Sequence, residues 1–205
     1  YEGLTRPKAA TWLRQVLRHG SPDDIRRPRP IPNREQQRVL RSVVERCLTE
    51  MDEEASLADF KSEPLRFMLH GVPGAGKSEV LWWLRKFFED VCAWTHGVEF
   101  VYVASQNSMA ALLEGFTVHS YLGIPFMKKD GAVVNRKGNH SQYGVSDFFL
   151  RFERLRWIFV DECSTLGCEL IAAGEDQVRR HVRKPHSWAM RGDNDIRCFG
   201  GINVC

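Results

Sequence analysis

No apolar run in this chain approaches the ~20 residues that cross a bilayer, and no charged-then-apolar leader opens it. A soluble intracellular protein is the expectation, nuclear or mitochondrial if the source is eukaryotic. Net charge is also scarce: 29 Lys and Arg stand against 26 Asp and Glu in 205 residues, a surplus of +3. That is too little to argue for nucleic acid by itself. Paired cysteine motifs are missing as well. Cys47, Cys92, Cys163, Cys168, Cys198 and Cys205 are scattered, with no Cys-x-x-Cys and no His at zinc spacing, so they read as free thiols. No internal repeat is visible, and 43% hydrophobic with 27% charged residues excludes a disordered or collagen-like chain.

What the chain does have is unevenly spread. Between Arg6 and Arg41 ten Lys and Arg face only Asp23, Asp24 and Glu35. Within that stretch, Trp12, Leu13, Val16 and Leu17 at helical spacing predict a helix over Ala9 to His19. The basic, proline-rich Arg26-Arg27-Pro28-Arg29-Pro30-Ile31-Pro32 then reads as a solvated linker. From Asn33, the positions Val39, Leu40, Val43, Val44, Cys47, Leu48 and Met51 form one buried helical stripe, and Asn33 with Gln36 fits a capping box. Residues 1–32 therefore read as a basic N-terminal segment and 33–205 as the folded domain.

Strand, turn and helix then alternate. Leu65 to His70 reads as a short strand, Glu79 to Trp94 as a helix with Val80, Leu81, Leu84, Phe87, Phe88 and Val91 inward, and Val98 to Ala104 as a second strand. Trp157-Ile158-Phe159-Val160 is apolar throughout, as a strand buried on both faces is. Trp82, Trp83, Phe87 and Phe88 sit at core spacing rather than forming a stacking platform. Lys128 to Ser146, rich in Gly, Asn, Lys and Ser, reads as a surface loop, and Arg179, Arg180, Arg183 and Lys184 as a solvated helix face. The alternation predicts an α/β fold with a parallel sheet flanked by helices.

The chemistry is carried by Gly71-Val72-Pro73-Gly74-Ala75-Gly76-Lys77-Ser78, which matches G-x-x-x-x-G-K-[ST] after a predicted strand and before a predicted helix. The glycines, with Ala75 between them, let backbone N–H groups turn inward around phosphate oxygens. Lys77 brings positive charge to the terminal phosphates, and the Ser78 hydroxyl suits magnesium. Asp161 and Glu162 end the Trp157 strand. Carboxylates at the carboxyl edge of a parallel strand suit two tasks: Asp161 orients the metal's waters, and Glu162 polarises the water that attacks the phosphate. That Glu, and the absence of Asn-Lys-x-Asp, disfavour a GTPase. ATP and Mg2+ are the expected ligands.

Taken together, these blocks resemble the PIF-type helicases of superfamily one, the branch that includes RecD-like enzymes and the helicase parts of Helitron transposons. Asn33-Arg34-Glu35-Gln36 is similar to that family's adenine-reading motif, Gly71 to Ser78 to its motif I, and Asp161-Glu162-Cys163-Ser164 to motif II. Ala104-Ser105 with Gly115-Phe116-Thr117-Val118-His119-Ser120-Tyr121-Leu122-Gly123-Ile124 is similar to motif Ia, and Phe199 to Val204 to the strand leading into motif III. The block Gly115 to Ser120 is the most specific, since a phosphate loop alone matches many ATPases.

The resemblance implies the first RecA-like ATPase domain of a helicase that couples ATP hydrolysis to five-prime to three-prime movement along single-stranded DNA and to unwinding at duplex junctions. It leaves the pathway open among telomere maintenance, recombination and DNA repair, mitochondrial DNA upkeep and transposition. It also implies that Ser105, Thr117, His119 and Ser120 contact the DNA strand and that Gln36 reads adenine. Gln36 keeps a second reading, as the partner of Asn33 in the capping box. The sequence departs from the pattern at Gln106-Asn107, where the family shows Thr-Gly, and at Met109. It stops before the Gly-Asp-x-x-Gln of motif III, so an incomplete domain lacking its second RecA-like partner, and weak in hydrolysis by itself, is the expectation. Two rival readings stay open: a one-domain P-loop ATPase of helicase-loader type, and a transposon-derived nucleotide-binding remnant.

Overall fold

The computed structural model describes residues 1–20, 29–56, 62–124, 150–182, 187–190 and 195–205. The expected loop at Lys128 to Ser146, the arginines Arg26 and Arg27, and Arg183 with Lys184 lie outside the described residues. The chain divides into two compact units, Tyr1–Thr95 and His96–Cys205.

The first unit is helical. Helix α1, Arg6–His19, is capped by the Thr5 hydroxyl on the Lys8 N–H, carries its proline in the first turn, and ends at Gly20, whose φ is +67° and whose N–H returns to the Val16 carbonyl. Helix α2, Arg34–Ala55, starts with the expected capping box. The Asn33 side chain accepts the Gln36 N–H at 3.0 Å, and Gln36 Oε1 accepts the Asn33 N–H at 2.9 Å. Its stripe of Leu40, Val43, Val44 and Cys47 is buried, as the spacing predicts. So are two charged residues, Arg46 and Glu50, paired at 2.8 Å along the helix. The Glu50 carboxylate also accepts the Tyr1 hydroxyl, so its lone pairs are spent rather than stranded.

Helix α3, Lys77–Lys86, buries Val80, Leu81, Trp83 and Leu84. At Phe87–Val91 it widens into a π turn, with the Cys92 N–H reaching back to the Phe87 carbonyl at 3.2 Å. The wider turn keeps Phe87, Phe88 and Val91 inward and brings Cys92 and Trp94 in after them. Phe88 stacks on Trp94 at 5.3 Å, and Trp12 of α1 meets Phe87 at 5.1 Å. Burying a side chain of this size contributes about 1.5–3 kcal/mol, which makes this aromatic cluster the main adhesive of the unit. Trp83, Phe87 and Phe88 are core residues, as their spacing implied, whereas Trp82 is only half-buried.

One expected element differs. Leu65–His70 forms no ladder; only Arg66 makes an isolated bridge, and Met68 is exposed. A strand exists only through a neighbour that takes its hydrogen bonds. Among its described residues, the helical first unit offers no strand to pair with.

The second unit holds a four-stranded parallel sheet in the order β2-β1-β3-β4. Its strands are β1 Phe100–Ala104, β2 Phe116–Thr117, β3 Trp157–Asp161 and β4 Asn203–Val204. Every residue of β1 is buried, the signature of a strand covered on both faces. Helices α4, Asn107–Leu112, and α5, Val118–Leu122, pack against β1 and β2. Helix α6, Cys168–His181, packs against α5 and the turn Cys198–Gly201. The fold is thus α/β, with helices flanking a parallel sheet. Among the described residues, no helix is long and apolar enough to cross a membrane, no cluster of three His, Cys, Asp or Glu side chains could hold a metal ion, and all six cysteines are free.

Candidate nucleotide and nucleic-acid sites

In the first unit the glycine-rich loop runs directly into α3. Gly74 and Gly76 hold φ of +81° and +80°, a region that side chains disfavour. At Gly76 space is short as well, since a Cβ there would lie 2.5 Å from Gln36 Nε2. Lys77 bends back over the loop, its Nζ donating to the Gly71 carbonyl at 2.8 Å and the Val72 carbonyl at 3.3 Å. The loop is tightened further by Ala75 N–H on the Val72 carbonyl. Lys77 therefore already stands among the loop's own peptide groups, and Ser78 lies exposed in the first turn of α3.

Gln36 joins the same group. While its Oε1 caps α2, its Nε2 donates to the Gly76 carbonyl at 3.1 Å. The capping box read from the sequence is present, and the same amide ties the start of α2 to the last glycine of the loop. Gln36, Gly71, Gly74, Ala75, Gly76, Lys77 and Ser78 are brought together within this unit.

In the second unit the predicted residues collect at the carboxyl edge of the sheet. Thr117 of β2, Ala104 of β1 and Asp161 of β3 stand in one register row, and Ser105 and Glu162 follow immediately. Loops at the carboxyl ends of parallel strands are where α/β folds place ligands. Asp161 is half-buried and Glu162 exposed. Glu162 has φ +52° and ψ +44°, an uncommon backbone for a residue other than glycine, asparagine or aspartate. The turn that imposes it, Cys163–Thr165, is closed by the Thr165 N–H on the Glu162 carbonyl at 2.9 Å.

The block Gly115 to Ser120 has a local physical account. A Cβ on Gly115 would lie 2.4 Å from the Tyr102 carbonyl oxygen, so only glycine lets the chain enter β2 beside β1. Thr117 caps α5 by accepting the Ser120 N–H at 3.2 Å. Its hydroxyl donates to Ser120 Oγ at 2.9 Å, and Ser120 donates to the Thr117 carbonyl at 3.0 Å. Thr117 and Ser120 thus engage each other, while His119 is half-buried on α5. Just behind them Tyr121 is buried, its hydroxyl on the Gly97 carbonyl at 3.2 Å. Burial raises its pKa well above the ordinary value, a rise partly opposed by the Arg151 guanidinium 5.1 Å from its ring.

Sequence reasoning missed Arg29. Its guanidinium makes two 2.5 Å contacts with the Glu79 carboxylate of α3 and lies 4.6 Å above the Trp82 ring. The arginine expected in a solvated linker is pinned to the first turn of the loop's own helix. Arg179 and Arg180 of α6 pair with Asp195 and Asp176 near the surface, in keeping with a solvated face.

No protein-family model matches the chain. Over 159 residues it is 29% identical to the ATP-dependent DNA helicase PIF1 of Saccharomyces cerevisiae (strain YJM789), a match that covers 77% of this chain. The similarity is thus to a PIF1 helicase. The chain spans only 16% of that curated relative's length. Among solved structures, a double mutant of Pif1 helicase from Bacteroides aligns with a TM-score of 0.49 at 19% identity, covering 85% of this chain and 31% of that one. The Bacteroides Pif1 helicase in complex with ADP-AlF3 and ssDNA aligns with a TM-score of 0.42 at 21% identity, covering 76% of this chain and 30% of the other. The resemblance read from the motifs thus reappears as sequence similarity to a PIF1 helicase over 77% of the chain.

Proposed function

We propose that this chain is the ATP-binding front part, RecA-like in kind, of a DNA helicase of the PIF type. The observation that carries the reading is the loop Gly71 to Ser78 heading α3, with Lys77 already seated on the loop's first carbonyls. The similarity to a curated ATP-dependent DNA helicase supports it.

The residues fit a nucleotide with magnesium. A loop bent by Gly74 and Gly76 turns N–H groups toward phosphate oxygens, and the Ser78 hydroxyl at its end offers an oxygen donor of the kind a hard cation takes. Magnesium, when bound, neutralises charge on the terminal phosphates. Lys77 leaves the Gly71 and Val72 carbonyls to meet those phosphates. By the resemblance, Asp161 would hold water of the metal by hydrogen bonding, and Glu162 would accept a proton from the attacking water. Single-stranded DNA crosses the carboxyl edge of the sheet at Ser105, Thr117, His119 and Ser120, movement runs five-prime to three-prime, and unwinding takes place at duplex junctions.

The test is titration of the chain with a fluorescent ATP analogue and Mg2+, followed by ATP turnover with and without a single-stranded oligonucleotide. Lys77→Ala is expected to lose nucleotide binding. Glu162→Gln is expected to retain binding and lose whatever turnover exists. Nucleotide binding indifferent to Lys77→Ala would sink the reading. Turnover that ignores DNA would replace it with a loader-type ATPase.

A further inference from the structure

We propose that Arg29 is a positioning residue for nucleotide binding, acting through Glu79; the proposal rests on the ATP reading of the loop and deepens it. Glu79 directly follows Ser78, in the first turn of α3. Its stem lies against the loop: a Cβ on Gly76 would be 3.9 Å from Glu79 Cγ. A carboxylate there is stabilised by the helix dipole, but it occupies the same positive end of the helix that phosphates require. Left alone, it repels them.

Arg29 removes that conflict. Its two 2.5 Å contacts neutralise Glu79 and draw the carboxylate toward the chain segment before α2. The pair is shielded, with side-chain exposures of 15% and 25%, so solvent screens it less than a surface ion pair. The Trp82 ring beneath the guanidinium fixes its plane. Arg29 is held there although its Nε is buried with no partner among the described residues, a cost that a merely solvated linker residue would not meet. Seven residues on, Gln36 holds the Gly76 carbonyl. The segment 29–36 thus grips the end of the loop at two points, one by charge and one by hydrogen bonding.

The mechanism predicts opposite signs for two variants, which a purely structural tie cannot give. Arg29→Ala leaves Glu79 uncompensated and is expected to weaken Mg-ATP binding about tenfold. Glu79→Gln removes the repelling charge and leaves Arg29 beside the loop, so its affinity is expected to equal or exceed that of the parent chain. The double variant Arg29→Ala with Glu79→Gln is expected to recover to within about twofold of the parent.

The experiment is equilibrium titration of the full chain and these three variants with a fluorescent ATP analogue and Mg2+, with thermal midpoints recorded without nucleotide. If Arg29→Ala and Glu79→Gln weaken binding alike, or the double variant is not rescued, or Arg29→Ala binds as the parent does, the proposal is overturned. Should Arg29→Ala not fold, Glu79→Gln decides, since weaker binding in that variant refutes the proposal. If the parent chain binds no nucleotide, the ATP reading falls and takes the proposal with it. Parent binding with an indifferent Arg29→Ala removes the proposal alone.

Discussion

Thr165 Oγ1 lies 2.7 Å from Ser105 Oγ and 2.7 Å from the Glu162 carbonyl oxygen. A hydroxyl has one proton to give. With Thr165 donating to the carbonyl, Ser105 donates to Thr165, and a directed chain of hydrogen bonds runs from the end of β1 to the strained residue after β3. The residue assigned to DNA and the residue assigned to catalysis are thereby linked through one threonine.

Removing that link has a measurable expectation. Thr165→Val keeps the shape and deletes the hydroxyl, and should lower stability by about 1 kcal/mol. Thr165→Ser should stay near the parent. Urea unfolding monitored by tryptophan fluorescence checks both, and equal stability of the three proteins would show that the link carries no weight.

Gly115 tests the close approach of β2 to β1. Because a Cβ would sit 2.4 Å from the Tyr102 carbonyl, Gly115→Ala forces the backbones apart and should cost about 1–3 kcal/mol. A thermal midpoint unchanged from the parent would contradict this account of the motif's glycine.

Arg46→Ala leaves the wholly buried Glu50 without its ion-pair partner. Breaking a buried pair on one side costs about 3–5 kcal/mol, the largest effect expected of any substitution named here. Arg46→Met paired with Glu50→Leu should recover most of it, and equilibrium denaturation of single and double variants decides.

Tyr121 gives the chain a pH dependence with a fixed sign. An unfolded tyrosine ionises near pH 10, whereas burial raises the native value, so the native phenol stays neutral where the unfolded one loses its proton. The stability it contributes is whole below about pH 10 and is lost as pH rises from there toward the raised native value. Tyr121→Phe should flatten the fall between pH 9 and 11, and an unchanged slope in that variant would count against the assignment.

Gln36→Glu separates capping from contact with the loop. Glutamate still accepts the Asn33 N–H, so α2 should keep its start, but the donor to the Gly76 carbonyl is gone. Helix content by circular dichroism should hold while affinity for the ATP analogue falls several-fold. Loss of both together would make the cap, not the contact, responsible.

Local signals were the legible ones. The stripe from Leu40 to Cys47, the Asn33–Gln36 box, the apolar run Trp157 to Val160 and the glycine-rich loop each depend on residues a few positions apart. They appear in the structure much as the spacing says. What escaped needed distant partners. Arg29 meets Glu79 across 50 positions, and Gly115 owes its identity to Tyr102, on a neighbouring strand. The segment Leu65–His70 has the apolar content of a strand, but composition does not supply the neighbour that a ladder needs. The DNA reading of Thr117 and Ser120 comes from the resemblance, and their mutual hydrogen bonds at the start of α5 are a local feature that the resemblance does not show.

The π turn at Phe87–Val91 makes this stretch forgiving of a chain shortened by one residue. Each residue of an α-helix turns the chain by about 100°. A π turn closes over one residue more than an α turn does, so deleting one residue between Phe87 and Val91 would let ordinary helical bonding resume with Cys92 and Trp94 still turned to the interior. Exchanging one bulky apolar side chain for another would likewise leave them where they are. Among related chains, this segment should drift in spelling and be found with one letter fewer.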